Sequence, residues 1–315
     1  MDVLKTPVER FENLDGYPFE PNFVSVPDGE GGTLNVHYVD EGPRDGQPVI
    51  MVHGNPTWSY MWRKLIPVLA EAGYRAIAVD MVGMGRSDKP STLEDYSVAR
   101  HIAWLQAALI DGLDIQNAHF VLHDWGGIVG LRLVANNQDR VASVTYSNTA
   151  FPTWEPGKEI TEMYREDGKS YRPFQDMIRQ TEDWPHWEML SQLILTDMPE
   201  SVKNGFAAPY PEPAYVVGNR AFALMLPVRN DNPMLEDNWR ALEKLKTFTR
   251  PFQCIYSDKD QVAPTGYKSV RPFIPGAGDR EAIILEGGSH FLLEDIPEAY
   301  IDEVLKFLSE QGRAE

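Results

Sequence analysis

The sequence contains a single cysteine and no long uninterrupted hydrophobic segment. Cys254 is the only cysteine among 315 residues, so an intramolecular disulfide is excluded. No segment reaches the roughly 18 consecutive apolar residues that a transmembrane helix requires. The first residues, from Met1 to Pro7, also lack the apolar centre of a secretion signal. These absences predict a soluble cytoplasmic protein with no membrane partner.

Basic residues are scarce compared with acidic ones. The chain has 29 Lys and Arg against 47 Asp and Glu, a formal net charge of −18. Because it lacks the longer basic runs that neutralise phosphates, we expect no nucleic acid partner. The His and Asp residues lack the paired spacing of a metal site, and the loop with Gly83 and Gly85 lacks the third glycine of a dinucleotide-binding turn. We therefore predict neither a metal nor a cofactor.

Apolar residues are abundant, in contrast. They make up 43% of the chain and include 8 Trp and 13 Phe, enough for a packed interior and an apolar pocket. At this length an α/β protein often forms one core with an inserted subdomain. We therefore expect one core domain and a cap.

Short apolar runs alternate with helical patterns along most of the chain. An antiparallel hairpin is predicted at 23–26 and 34–39. Further strands are predicted at 49–52, 76–79, 118–122, 141–146, 252–256 and 282–285. Helices are predicted at 58–72, 98–110, 127–135 and 297–308. This alternation is typical of an α/β fold with a mostly parallel central sheet and helices on both faces.

The alternation stops between the sixth and seventh predicted strands. There the chain becomes rich in Trp, Met, Phe, Tyr and Pro at helical spacing, as in Phe174, Met177 and Ile178. We interpret residues 151–230 as an inserted helical cap domain. The core domain then consists of residues 1–150 and 231–315.

The segment Val121 to Gly127 is the most informative in the chain. It is an apolar strand that runs into a turn and opens a helix, the pattern of a nucleophile elbow, and it carries Asp124 where related hydrolases keep a serine. A carboxylate is already ionised near neutral pH, and a helix N-terminus favours the anion. Asp124 is therefore predicted to attack saturated carbon and form an alkyl ester. Leu122 departs from the usual pattern, which has glycine two residues before the nucleophile.

The other catalytic groups are expected at the carboxyl ends of further strands. His290 follows the last predicted strand, and the order nucleophile, acid, histidine makes it the general base. Asp260 is the preferred orienting acid because Asp260 to Pro264 has the Asp-x-x-x-Pro spacing of such loops, and Asp258 is the alternative. Asn148 occupies a second possible acid position, where it supplies no negative charge.

An oxyanion hole is predicted from two loops. The backbone N–H groups of Asn55 and Trp125 are expected to stabilise the oxyanion that forms when a water activated by His290 attacks the ester. His53 is expected to shape the first of these loops. His123, next to the nucleophile in an extended strand, is expected to project to the opposite face.

Four motifs together resemble the haloalkane dehalogenases, α/β-hydrolase fold enzymes that hydrolyse a carbon–halogen bond. They span 53–60, 80–90, 123–127 and 288–291, and the resemblance covers roughly residues 11 to 308. It implies hydrolysis of a haloalkane to a primary alcohol, a halide ion and a proton. The implied partners are a small apolar halogenated substrate, halide and water, and the implied assembly is a monomer or small homo-oligomer.

The resemblance also implies a halide-binding site. Trp125 would direct its indole N–H at the departing halide. A second donor would be a cap tryptophan, here Trp187, or the side chain of Asn55. The chain offers both, and the cap sequence slightly favours Trp187 over a role in packing the cap helix.

An epoxide hydrolase is the alternative function. It would use the same aspartate, histidine and acid, with cap tyrosines that protonate the opening epoxide oxygen. Tyr164, Tyr171, Tyr210 and Tyr215 leave this option open. A ligand-binding protein on a hydrolase fold is a weaker alternative, because no member of the predicted triad is missing.

Overall fold

A computed structural model describes residues 1–163 and 168–311. Its centre is an eight-stranded sheet. The strands are β1 (Asn22–Pro27), β2 (Thr33–Glu41), β3 (Pro48–Val52), β4 (Arg75–Val79), β5 (Ala118–His123), β6 (Val141–Ser147), β7 (Phe252–Ser257) and β8 (Ile283–Leu285). Their order across the sheet is β8-β7-β6-β5-β3-β4-β2-β1.

The sheet is mostly parallel. Only β2 runs antiparallel to its neighbours, β1 and β4, and the other adjacent strands pair in parallel. Strands β5 and β7 are buried at every position, since helices cover both faces of a parallel sheet. All eight predicted strands and the mostly parallel arrangement are confirmed, with ends that differ by one or two residues.

Helices cover the core on both sides. They are α1 (Leu65–Glu71), α2 (Val98–Leu105), α3 (Trp125–Asn136), α8 (Pro233–Leu245), α9 (Leu292–Asp295) and α10 (Pro297–Glu310). The helix predicted at 58–72 is divided into a 3-10 turn, Ser59–Trp62, and α1. The helix predicted at 98–110 ends as an α-helix at Leu105 and continues as a π-helical segment, Gln106–Gly112.

The segment between β6 and β7 is helical, as predicted. It contains α4 (Arg172–Gln180), α5 (His186–Ser191), α6 (Glu200–Ala207) and α7 (Val217–Met225), followed by α8. The division into a cap of residues 151–230 and a core stays a prediction. Helix α8 is not among the predicted helices, although the side chain of Asn232 caps it and Pro233 opens it.

Two further features of the described part of the chain complete the fold. Val3–Leu4 pairs with Lys89–Pro90 as a two-residue antiparallel ribbon, too short to show a periodic pattern. No helix within residues 1–163 and 168–311 has both the length and the apolarity needed to cross a membrane.

Candidate active site

Asp124 lies at a sharp turn between β5 and α3. Its backbone has φ +52° and ψ −126°, a left-handed conformation that is uncommon for a residue other than glycine. Two glycines allow the loops to close around it. A Cβ atom on Gly54 would overlap the Asp124 carboxylate, and one on Gly126 would overlap the Val52 carbonyl oxygen. The strained turn therefore depends on small residues on both sides.

Leu122 fits the elbow because of a glycine on the following helix. The Leu122 side chain is fully buried, and its Cδ2 atom occupies the position that a Cβ atom on Gly130 would take. Gly130 lies one turn after Gly126 in α3. The elbow has a leucine where the pattern has glycine, and Gly130 on the facing helix leaves the space that this leucine needs.

Two backbone N–H groups bind the Asp124 carboxylate. The Asn55 N–H donates to Asp124 Oδ1 at 2.8 Å, and the Trp125 N–H also donates to the carboxylate. Burial alone would raise the pKa of Asp124, but the hydrogen bond and positive charge of His290, together with the Trp125 N–H, hold it below its usual value. Asp124 is therefore an anion with one oxygen firmly held.

His290 lies between two carboxylates. Its Nε2 atom is 3.4 Å from Asp124 Oδ2, and its Nδ1 atom is 2.9 Å from Asp260 Oδ1. The Asp260 carboxylate also accepts the N–H groups of Val262 at 2.9 Å and Ala263 at 3.2 Å. Burial would lower the pKa of His290, but the two carboxylates outweigh burial and raise it to about 10. The same charge on His290 lowers the pKa of Asp260 despite its burial.

The structure brings Asp260 to the imidazole and leaves Asp258 outside. Asp258 Oδ1 instead accepts the Gly287 N–H at 2.8 Å and so fixes the turn after β8. Within the described residues, the only carboxylates paired with His290 are those of Asp124 and Asp260.

Two polar side chains support the base loop from the core side. Asn148 Nδ2 donates to the carbonyl oxygens of Ser289 at 2.9 Å and His290 at 3.0 Å. His123 Nε2 donates to the His290 carbonyl at 2.8 Å, and the two rings are 4.8 Å apart. Burial, with the nearby charge of His290, lowers the pKa of His123 to about 4, so it acts as a neutral donor. The expectation that His123 projects to the opposite face from Asp124 stays a prediction, and its ring contacts the backbone of the base loop.

His53 supports the oxyanion loop from below. Its Nδ1 atom donates to the Gly54 carbonyl at 2.9 Å, and its Nε2 atom accepts the Met81 N–H at 3.0 Å. These partners fix a neutral imidazole whose proton is on Nδ1, and burial lowers its pKa accordingly. The loop that carries Asn55 is thereby held against the core.

A cavity of about 730 Å³ opens above Asp124 and His290. Both proposed donors beside the nucleophile, Asn55 and Trp125, line it. The Asn55 Oδ1 atom is buried without a hydrogen-bond partner in the described part of the chain. The wall is mainly apolar and includes Pro56, Phe174, Met177, Trp184, Leu193 and Leu226. Such a cavity suits a small apolar molecule with one polar end.

Trp187 does not line this cavity, so its predicted place in the active site is wrong. Met189 and Leu193 face the cavity, whereas Trp187, Ser191 and Ile194 line a separate pocket. Residues spaced by three or four share one face of a helical segment, and Trp187 lies on the face turned away from Asp124. Sequence spacing predicts which residues share a face but not which face is turned inward. Trp184, which precedes the first residue of α5, lines the active-site cavity instead.

The four cap tyrosines are dispersed. Tyr171 lines the cavity, whereas the Tyr210 hydroxyl contacts Met84 Sδ and Asn219 Oδ1 in the interior. Tyr215 packs against the hydrophobic core, and Tyr164 lies outside the described residues. The described residues therefore bring one of the four to the site.

Over the parts of the chain that the structure covers, 1–163 and 168–311, no cluster of three or more His, Cys, Asp or Glu side chains could hold a metal ion.

Comparisons with known proteins agree on one family. The sequence profile of the alpha/beta hydrolase fold family matches residues 47–295. The chain is 38% identical to a haloalkane dehalogenase of Psychrobacter cryohalolentis, over 99% of this chain and 100% of that protein. It is 35% identical to a haloalkane dehalogenase of Mycobacterium marinum, over 94% and 96% of the two chains.

A solved structure gives the same result. The tetrameric haloalkane dehalogenase DpaA from Paraglaciecola agarilytica NO2 is similar with a TM-score of 0.85 and 29% identity, and the similarity covers 98% of each chain. Because the matches extend over nearly the full length of these relatives, including the segment between β6 and β7, the chain belongs to the haloalkane dehalogenases of the alpha/beta hydrolase fold.

Proposed function

We propose that the protein hydrolyses haloalkanes to a primary alcohol, a halide ion and a proton, with Asp124 as the nucleophile. One observation carries the proposal. The Asp124 carboxylate is bound through Oδ1 by the Asn55 N–H, faces His290 through Oδ2, and opens onto a largely apolar cavity. A carboxylate in this setting is suited to displacement at saturated carbon.

In the first half-reaction, Oδ2 of Asp124 attacks the carbon that bears the halogen. The C–O bond of an alkyl ester forms as the carbon–halogen bond breaks, and the electron pair leaves with the halide. Since Oδ1 is already held by the Asn55 N–H, Oδ2 is the oxygen free to react. No proton moves in this step, so it does not need a general base.

The departing halide requires donors in a pocket with few other polar groups. We assign this role to the indole N–H of Trp125 and the side-chain amide of Asn55, because both residues line the cavity together with Asp124. Neither donor can lose its proton at neutral pH, so each binds an anion without becoming an acid catalyst. Asn55 replaces Trp187 as the second donor because Trp187 lies outside the cavity.

In the second half-reaction, His290 activates water. Alkylation makes Asp124 a neutral ester and removes one of the two carboxylate charges that raise the pKa of His290. The imidazole then releases its proton more readily and accepts one from a water that attacks Cγ of Asp124. The oxyanion develops at Oδ1, between the N–H groups of Asn55 and Trp125, where each donor contributes about 3 kcal/mol. Asp260 holds the imidazole and stabilises its charged form.

The substrate is expected to be a small apolar halogenated molecule, and the products leave as alcohol, halide and a proton. For the assembly, a monomer or small homo-oligomer stays the prediction. Light scattering of the purified protein measures it directly.

Epoxide hydrolysis is less well supported. It needs acids that protonate the epoxide oxygen, and among the described cap tyrosines only Tyr171 lines the cavity. Incubation with 1-bromobutane and with styrene oxide separates the two functions. Bromide and proton release without diol formation supports the dehalogenase, and diol formation without bromide release supports the epoxide hydrolase.

The proposed mechanism is tested with His290→Gln. We expect this variant to release about one bromide per active site from 1-bromobutane and then to stop, because only ester hydrolysis needs the base. Intact-mass spectrometry should show a butyl adduct, and peptide mapping should place it on Asp124. Asp124→Ala is the matched control and should release no bromide. Full turnover by His290→Gln, or an adduct on another residue, would contradict the assignment.

A further inference from the structure

Asp295, the last residue of α9, connects two separate parts of the molecule. Its Oδ1 atom accepts the backbone N–H groups of Leu195 and Thr196, both at 2.8 Å. Its Oδ2 atom accepts the backbone N–H of Ser289 at 2.9 Å and also contacts the Ser289 hydroxyl. Hydrogen bonds to a carboxylate are about twice as strong as those between neutral groups. One side chain therefore holds both the segment after α5 and the loop of the general base.

The helix that carries Asp295 is itself anchored to the core. The neighbouring Glu294 is bound by both terminal nitrogens of Arg63, with Nη1–Oε1 at 2.5 Å and Nη2–Oε2 at 2.8 Å, and both side chains are buried. A bidentate pair of this kind fixes orientation as well as distance. The position of Asp295 is therefore fixed by the core, and its two oxygens determine the positions of Ser289 and of the backbone at 195–196.

Both bound segments contribute to the active site. Ser289 directly precedes His290, and its Oγ atom donates to the Leu193 carbonyl at 2.7 Å. The Leu193 side chain lines the cavity above Asp124. On its core side, the Ser289 carbonyl accepts the Asn148 amide at 2.9 Å. The peptide group before His290 is therefore held between the core and the helical segment that forms the cavity wall.

We infer that Asp295 is a positioning residue for the second half of the reaction: it places His290 relative to the alkyl ester by binding Ser289 and the 195–196 backbone at once. The inference rests on the proposed function. Because attack by Asp124 does not involve His290, loss of this connection slows ester hydrolysis far more than halide expulsion. A residue that only supported the fold would affect both steps.

The test is Asp295→Asn, followed with 1-bromobutane by rapid quench and intact-mass spectrometry. The asparagine amide has one acceptor oxygen and one NH2 group, which is a donor. Either the N–H groups of residues 195 and 196 or the N–H of Ser289 must therefore face that NH2 group. We expect a burst of bromide whose rate is within twofold of the wild-type rate. Ester hydrolysis should slow about tenfold or more. The butyl adduct should then accumulate, and kcat and KM should fall together.

Two further variants complete the test. Ser289→Ala removes the hydroxyl contacts and keeps the N–H bond to Asp295, so we expect ester hydrolysis alone to slow a few fold. Asp302→Asn makes the same chemical change on the exposed side of α10 and should match the wild type. If Asp295→Asn does not fold, Ser289→Ala decides the question in its place.

Two results would overturn the inference. The first is that Asp295→Asn slows halide expulsion and ester hydrolysis equally. The second is that folded Asp295→Asn hydrolyses the ester at the wild-type rate or, if that variant does not fold, that Ser289→Ala does so. Failure of the proposed function looks different. In that case the wild-type protein releases no bromide, and His290→Gln carries no adduct.

Discussion

At the scale of single residues, Asn55 contributes two different groups to the site. Its backbone N–H donates to Asp124 Oδ1 at 2.8 Å, and Asn55 also lines the cavity, where its side-chain amide is the proposed second halide donor. Substitution of the side chain leaves the backbone donor in place. The two contributions can therefore be separated by experiment.

We predict that Asn55→Ala and Trp125→Phe each weaken inhibition by bromide about ten- to a hundredfold, since a hydrogen bond to a charged group contributes about 1.5–3 kcal/mol. Trp187→Phe is the control and should leave the inhibition constant unchanged, because Trp187 lies in another pocket. The inhibition constant for bromide is measured during turnover of 1-bromobutane. If Asn55→Ala has no effect and Trp184→Phe weakens inhibition, the second donor is Trp184.

At the scale of elements, the sequence predicts most accurately the positions of residues that directly follow a strand. Asp124, Asp260 and His290 each follow a strand of the sheet, and parallel strands bring such positions to one edge whatever the details of packing. Trp187 could not be placed in this way. Its orientation depends on how α5 packs on the rest of the molecule, and helical periodicity is the same whichever face turns inward.

Leu122 is the other element-scale problem, because it departs from the elbow pattern at a strained turn. The structure resolves it through Gly130 on α3, whose missing side chain leaves room for the leucine. The elbow pattern covers only positions near the nucleophile in sequence, whereas Gly130 lies nearly two helical turns further along α3. A pairing of this kind becomes visible only when the strand and helix are placed together.

The pairing makes a quantitative prediction. Gly130→Ala should lower the free energy of unfolding by about 1–3 kcal/mol through overpacking against Leu122. In a Leu122→Ala background the same change should cost much less, because the space next to residue 130 is then empty. Urea unfolding of the wild type, the two single variants and the double variant measures the coupling. Additive effects would show that Leu122 and Gly130 do not compete for the same space.

At the scale of the whole molecule, the mouth of the active-site cavity contrasts with the acidic character of the chain. The formal net charge is −18, yet Met177 from α4 and Val262 from the loop after β7 line the cavity with 47% and 45% of their surfaces exposed. Val262 lies two residues from Asp260, so the loop that orients the base also forms part of this mouth. An apolar mouth of this kind can hold an alkyl tail that extends beyond the cavity.

We therefore predict that kcat/KM for terminal bromoalkanes rises with chain length. Burial of each methylene contributes about 0.8 kcal/mol, so the rise should be up to about fourfold for each methylene that leaves water. Met177→Gln keeps a side chain of similar length but makes it polar, and it should flatten this rise while kcat for 1-bromobutane stays within twofold. Leu195→Gln is the matched control, since Leu195 is 51% exposed but lines the pocket with Trp187 instead. Steady-state kinetics with 1-bromobutane, 1-bromohexane and 1-bromooctane compare the three proteins. An unchanged slope in Met177→Gln, or the same flattening in Leu195→Gln, would show that the tail does not pass along Met177.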